Sequence, residues 1–439
     1  MYLLNYFYFI IITGFGIKFL FQRAGKVRHP LNKEQMLSFD GPELFWTLTF
    51  STGLLALSAP GALDLMAIRL LVLESLCLIG LFVVKRKPVW SAVSIFYLLY
   101  IAWLLIGLSY SPAPSYGFRI ILKYLYPLCI MLFASAVVRD GEVFLKAGLY
   151  ARWVAVVCLI FAVVPGIGIL VPGVFWYSTA SAIHFISMCI FSLALFYHSG
   201  HKKINFYLAI LFMIPCILWV FRTSIMGTTL ALMVFFFFRY KLKSIPVIVG
   251  CLFLFIITIF FIPSIKEKMF YKNDNKSIQT LRSGEISIDD INSNGRFAMW
   301  EWSLNKFYQN RELYGTGTGN LQETFYALRH PFGTIRICHN DYVQILCDNG
   351  IIGIALFGGS FLFLIFHCFS VYQDKRYGIA VHICAITAGA SSAGTLLTMY
   401  TDNVINYTMA TLSYPCGFYG MMLGLIVGTK MKKDVGTVA

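Results

Sequence analysis

Apolar runs of about 20 residues, each long enough to cross a hydrocarbon layer of about 30 Å as a helix, recur from one end of this chain to the other. Few folds accommodate them. Such a chain must satisfy its backbone polar groups within helices and turn apolar side chains toward lipid. Composition agrees, since 13% of the residues are charged, against about 25% in a typical soluble domain. A water-soluble enzyme is excluded. Disorder is excluded too, because it requires low hydrophobicity and 58% of these residues are hydrophobic.

Windows of bilayer length give about thirteen candidate spans. Ten come first: Tyr2 to Phe21, Leu44 to Ala59, Ala62 to Val84, Val89 to Leu108, Phe118 to Val138, Val154 to Leu170, Thr179 to Tyr197, Phe206 to Phe221, Thr223 to Phe238 and Ile245 to Pro263. Asp348 to Ser370, Ile379 to Thr401 and Ala410 to Gly428 follow a long polar segment. No basic region or small-residue cleavage site follows Met1, so the first run reads as a retained span and not a cleaved signal.

The net charge is +15, from 35 Lys and Arg against 20 Asp and Glu, which alone would suit a nucleic-acid partner. Position decides otherwise. The basic residues cluster between the runs: Arg23, Lys26, Arg28 and Lys33; Lys85, Arg86 and Lys87; Lys202 and Lys203; Arg239, Lys241 and Lys243; Lys375 and Arg376; Lys430, Lys432 and Lys433. Under the positive-inside rule these mark cytoplasmic loops. The C-terminus is then cytoplasmic, an odd number of spans puts the N-terminus outside, and nucleic acid is not expected as a partner. The eleven cysteines form no Cys-x-x-Cys pair, which indicates neither a disulfide framework nor a zinc site. Cys338 and Cys347 read as packing residues on different sides of a helix.

The expected division is residues 1–262 as N-terminal spans, 263–347 as an outer loop, and 348–439 as C-terminal spans. The loop is polar and long enough to be functional. Asn294 before Phe297, Trp300, Trp302, Leu304 and Phe307 predicts a capped amphipathic helix whose aromatic side suits a membrane interface. A turn through Gly315, Gly317 and Gly319 follows, then a short helix near Gln322 to Leu328, so the loop reads as a small folded cap.

The segment from His339 to Gly353 carries the most chemistry. Tyr342, Val343, Ile345 and Leu346 have a helical period, and Asn340 or Asp341 can cap it. His339 then sits at a helix start on the outer side, where the helix dipole favours a neutral imidazole able to accept a proton. It could equally cap or pack. Arg222 interrupts an apolar stretch at the outer membrane edge, where a charge is functional by default, and Arg296 starts the loop helix. Guanidinium groups stay charged and bind phosphate bidentately; the plainer alternatives are snorkelling for Arg222 and solvation for Arg296.

The pattern His339-Asn340-x-Tyr342-x-Gln344-x-Leu346-x-x-x-Gly350-x-x-Gly353 resembles the signature of the bacterial O-antigen ligase and O-antigen polymerase superfamily. Gly295-Arg296 with Trp300, the turn from Leu313 to Gly317, and Arg222 with Ser224 are similar to it as well. The resemblance covers spans two to thirteen and the loop; it leaves the first span unexplained, and the turn lacks a proline often found before it. It implies an all-α, polytopic helical membrane protein of about 12–13 transmembrane helices with one large periplasmic loop, GT-C-like in plan. The location implied is the bacterial inner membrane, multi-pass, with a periplasmic active site.

The activity implied is a glycosyltransferase that takes a glycan from undecaprenyl diphosphate and delivers it, with inversion and without metal or other cofactor, to a sugar hydroxyl. The acceptor would be lipid A-core for a ligase or another lipid-linked glycan for a polymerase. In that reading His339 is the general base, and Arg222 and Arg296 hold the departing diphosphate, with Arg119 as a secondary contact. Asn340, Tyr342, Gln344, Gly350 and Gly353 support the motif. No nucleotide-binding phosphate loop or Asp-x-Asp pair is present.

Asp64, Arg69 and Glu74 read as structural pairs or a lipid entry path, and His184, His367 and His382 as packed or interface histidines. A flippase for the same lipid-linked glycan is the main rival; it should show related halves and a midplane site, and no internal repeat is visible. A peptidoglycan polymerase of the shape, elongation and division type would be expected to rely on a catalytic carboxylate in an outer loop.

Overall fold

The computed structural model describes residues 2–21, 25–28, 36–53, 66–84, 86–163, 179–218, 222–263, 266–267 and 295–436. Ten helices precede the loop: α1 Tyr2–Phe21, α2 Gly41–Thr52, α3 Met66–Val84, α4 Ala92–Ser109, α5 Pro114–Val137, α6 Gly141–Val163, α7 Thr179–His198, α8 Lys203–Leu218, α9 Arg222–Tyr240 and α10 Ile245–Phe261. The loop contributes α11 Arg296–Ser303 and α12 Asn320–Tyr326, and the chain ends with α13 Asp341–Gln373, α14 Ile379–Thr401 and α15 Ser413–Gly436. A short antiparallel ribbon, β1 Gly25–Arg28 with β2 Met36–Phe39, joins α1 to α2. The chain is a polytopic helical membrane protein.

Thirteen of these helices overlie the expected spans, and among the described residues seven are long and apolar enough to cross a membrane. Their outer faces carry large exposed side chains such as Phe82, Leu99, Trp153, Phe253 and Phe366, a surface that only lipid or a partner would cover. The expected boundary that moves furthest is the start of α6. The span expected to start at Val154 begins at Gly141, because Arg152 is not a terminator: its Nη1 donates to Asn205 Oδ1 of α8 at 2.7 Å inside the bundle. Asp64 lies outside the described residues. Arg69 and Glu74 are buried, but the Glu74 carboxylate oxygens meet no hydrogen-bond partner among the described residues, so the expected pairing does not hold for Glu74. His367 bonds Tyr419 OH at 2.6 Å and His382 bonds the Asp374 carbonyl at 3.0 Å, while His184 is fully buried; all three are packed.

Small residues let the inner helices touch backbone to backbone, the packing mode available where lipid removes the hydrophobic drive. Gly420, Gly424 and Gly428 of α15 lie along α5, where added Cβ atoms would come within 2.3 Å of Met131 O, 2.2 Å of Val138 O and 2.1 Å of Arg139 O. Gly394 of α14 similarly meets Gly227 O of α9. The buried hydroxyls of Thr387, Ser391, Thr395 and Thr398 return to carbonyls one turn back on α14, so they cost little to bury. These contacts fix the helix ends. Arg86, Arg139, Arg239 and Arg376 gather at one end of the bundle, and the loop helices sit on the other.

Candidate active site

The loop residues form a layer with its own core of Met299, Trp300, Phe307, Leu321, Phe325, Cys338, Val343 and Cys347. This corrects one expectation. The aromatic side of α11 turns inward to this core and not toward a membrane interface, with Phe297 the exposed exception. Gly295, at φ +74°, precedes the helix, and Asn294 lies outside the described residues. Cys338 precedes α13 and shares the cluster with Cys347, so the two do not face apart as expected, although both do pack. Burial pushes the Cys338 thiol up to about 12, which leaves it unreactive.

Two breaks in helical geometry build the site. The first is in α13 at Gly350, with φ +66° and ψ −165°. The backbone groups released there are met by the glycine turn: Ile351 N–H donates to Glu312 O at 2.7 Å, and Thr316 and Gly317 N–H donate to Cys347 O and Asp348 O, both at 2.9 Å. A Cβ on Gly350 would lie 2.4 Å from Leu313 backbone atoms, and one on Gly315 would lie 2.4 Å from the Asp348 carbonyl carbon. Asp348 in turn accepts the N–H groups of Gly319 and Leu321 at 3.0 and 2.8 Å, capping α12. The glycines of this turn are therefore needed where two backbones cross.

The second break lies between α14 and α15. Asp341, fully buried, accepts the N–H groups of Val404 and Ile405 at 2.7 and 3.2 Å and Asn403 Nδ2 at 3.2 Å. Asn340 caps α13, its Oδ1 accepting from Tyr342 and Val343 N–H at 2.9 and 3.0 Å. Tyr342 OH donates to Leu396 O at 2.7 Å, tying α13 to α14. These bonds bring the α14–α15 turn against His339.

The result is a pair of side chains. His339 Nδ1 lies 3.1 Å from Asp402 Oδ1, and its backbone N–H donates to Asn403 Oδ1 at 2.6 Å. His339 itself sits at φ +53°, a conformation uncommon for a residue with a side chain and held by these bonds. Because a carboxylate only accepts, Nδ1 carries the proton in this contact, and in the neutral ring Nε2 is the acceptor. The histidine side chain is 29% exposed and the aspartate 14%, so the imidazole is reachable while its carboxylate is covered.

Arg296 sits beside this pair. Its Nη1 donates to the carbonyl of Thr401, the last residue of α14 and the neighbour of Asp402, where a helix C-terminus has unpaired acceptors and attracts a cation. Trp300, one turn along α11, fixes it there: its indole N–H donates to Cys338 O at 2.9 Å, and its ring lies 5.5 Å from that of Tyr400. Burial first, and then the positive charge of Arg296, hold the Arg222 guanidinium at the start of α9 below its ordinary pKa. Residues 207–358 match the family model described as O-antigen ligase. Over this part of its length the chain is similar to O-antigen ligase. The O-antigen ligase match spans α8 to the first turns after the Gly350 break, and so includes Arg222, Arg296 and His339 but neither Arg119 nor Asp402. No curated protein matches the chain.

The structure thus brings His339 and Arg296 together, with Arg222 in electrostatic reach, while Arg119 lines a separate cavity with Tyr116, Lys123, Gln322 and Tyr326. Asn340, Tyr342, Gln344, Gly350 and Gly353 act as scaffold: Gln344 accepts from Asn403 Nδ2 at 3.3 Å, and a Cβ on Gly353 would come within 2.6 Å of Asn349 Cβ. Asp402 was missed by sequence reasoning. Its signal was an acid at the outer end of an apolar run, a position where charge is costly.

Proposed function

We propose that this protein transfers a glycan from a polyprenyl-diphosphate carrier, undecaprenyl diphosphate in the family's chemistry, to a sugar hydroxyl at the periplasmic face of the bacterial inner membrane. The observation that carries this reading is the His339–Asp402 pair beside Arg296. His339 Nε2 takes the proton of the acceptor hydroxyl as its oxygen attacks the anomeric carbon, and Asp402 holds the ring and offsets the charge the ring gains. The glycosyl–phosphate bond breaks on the opposite face, with inversion, and the diphosphate leaves as an anion. Arg222 and Arg296, which repel each other in the free protein, are stabilised by that anion between them. A diphosphate needs no proton to depart, so a single base and a cationic clamp suffice.

The basic bundle end would be cytoplasmic and the 263–347 loop periplasmic, with residues 1–262 and 348–439 forming the spans. The acceptor is lipid A-core if the enzyme is a ligase and a second lipid-linked glycan if it is a polymerase. Deleting the gene and running surface glycan on gels separates these: a ligase loss strands long chains on the carrier, whereas a polymerase loss leaves single repeats on the core. Purified protein in nanodiscs that moved intact donor across the bilayer without cleaving the glycosyl–phosphate bond would replace this reading with the flippase.

A further inference from the structure

Three consecutive residues at the end of α14 each hold a different part of the site. The carbonyl of Thr401 accepts from Arg296, the carboxylate of Asp402 meets the His339 ring, and Asn403 Oδ1 accepts from the His339 backbone N–H at 2.6 Å. The steps given above use the first two grips and not the third. Yet a ring contact fixes only how the imidazole is turned, whereas a bond to the backbone fixes the point from which the side chain projects.

The Asn403 amide can make that bond in one orientation only. Its Nδ2 donates to Asp341 Oδ1 at 3.2 Å and to Gln344 Oε1 at 3.3 Å. Turned over, the amide would set its carbonyl against the Asp341 carboxylate and its own N–H groups against the His339 N–H, leaving both ends unsatisfied in a buried place. Asp341 is anchored in turn by the N–H groups of Val404 and Ile405 at 2.7 and 3.2 Å. The circuit is short and closed: Asp341, two residues after His339 on the same strand of chain, orients the amide that holds His339.

His339 needs such a hold. At φ +53° it sits where a residue with a side chain stays only if its surroundings keep it there. Without an acceptor for its N–H the backbone can relax, and the imidazole turns away with it. A general base must keep its nitrogen within hydrogen-bond reach of the hydroxyl it deprotonates, and a displacement of about 1 Å can cost on the order of 10²-fold in rate. Asn403 is 1% exposed, so its effect on chemistry passes through His339 and not through contact with a substrate.

We propose that Asn403 is a positioning residue of the transfer reaction, holding the His339 backbone so that Nε2 faces the acceptor hydroxyl while Asp402 holds the ring. This rests on the transferase reading above, and one of its readouts needs no activity. The full-length protein and Asn403→Ala are compared in nanodiscs by hydrogen exchange of the His339 amide, thermal melting and transfer kinetics. The amide should exchange at least about ten-fold faster in the variant, because its acceptor is gone. The kcat should fall by about 10- to 100-fold with the KM for the lipid-linked donor unchanged.

The deciding comparison is made in His339→Gln. With no base left to aim, adding Asn403→Ala should lower the residual rate by less than about two-fold. Should Asn403→Ala fail to fold, Gln344→Met carries the same cycle: it removes one of the two acceptors that orient the amide, and should lower kcat by about 3- to 10-fold only where His339 is present. Equal losses in both backgrounds would make Asn403 a structural residue and overturn the proposal. So would an unchanged kcat, or a His339 amide that exchanges as slowly in Asn403→Ala as in wild type. Absence of transfer by the wild-type protein would instead sink the transferase reading, and faster exchange in the variant would still identify Asn403 as the group that holds His339.

Discussion

Nδ1 of His339 and Oδ1 of Asp402 lie 3.1 Å apart across 63 residues of sequence, and the same Asp402 oxygen accepts the N–H of Asn403 at 2.8 Å. That second bond fixes the carboxylate, so the imidazole is oriented by a group that is itself held. Asp402→Asn keeps the shape but lets the amide present a donor to Nδ1, which favours the wrong tautomer. The expected result is a fall in kcat of about 10²- to 10⁴-fold with donor affinity unchanged, read by transfer kinetics and donor titration on the same preparation.

Lysine in place of arginine keeps charge and loses the two-pronged fork. Arg296→Lys and Arg222→Lys should each lower kcat/KM for the lipid-linked donor by about 10- to 100-fold, the equivalent of one or two charge-assisted hydrogen bonds. The acceptor KM should stay constant. A change confined to acceptor KM would assign these arginines to the other substrate.

Gly350→Ala tests the crossing of α13 with the glycine turn. Alanine there must adopt φ +66° and place its Cβ 2.4 Å from the Leu313 backbone, a strain of about 1–3 kcal/mol before any displacement of the turn. Thermal melting in detergent should show a lower Tm, and activity should fall with it because the turn and His339 share α13. An unchanged Tm would mean the turn is not seated in the break.

Asp348→Ala removes the acceptor for two buried backbone donors, Gly319 and Leu321 N–H. Leaving both unsatisfied should cost about 2–6 kcal/mol. Limited proteolysis should then cut the 312–330 segment faster than in wild type, while the helical circular dichroism of the spans is retained.

The helices were readable in the sequence because bilayer crossing is a local property: about 20 apolar residues in a row suffice. Where α6 begins was not, since Arg152 is tolerated only through Asn205 on another helix. His339, Arg222 and Arg296 were legible as charged or titratable groups at span edges and in a spaced motif. Asp402 was not, because what brings it to His339 is the fold of the α14–α15 turn onto Asp341, a contact between distant segments that no spacing rule encodes. Arg119 was legible as a cation at a span edge, but its separation from the other two arginines is a matter of which helices neighbour α5. The aromatic side of α11 misled for the same reason, since its partners, Cys338 and Val343, come from another part of the chain.

The most direct test is single-turnover transfer by His339→Gln with the lipid-linked donor already bound. If His339 removes the acceptor proton, the rate falls at least about 10²-fold while donor binding and Tm match wild type. A wild-type rate in that variant would show that the proton leaves by another route and that the His339–Asp402 pair is structural.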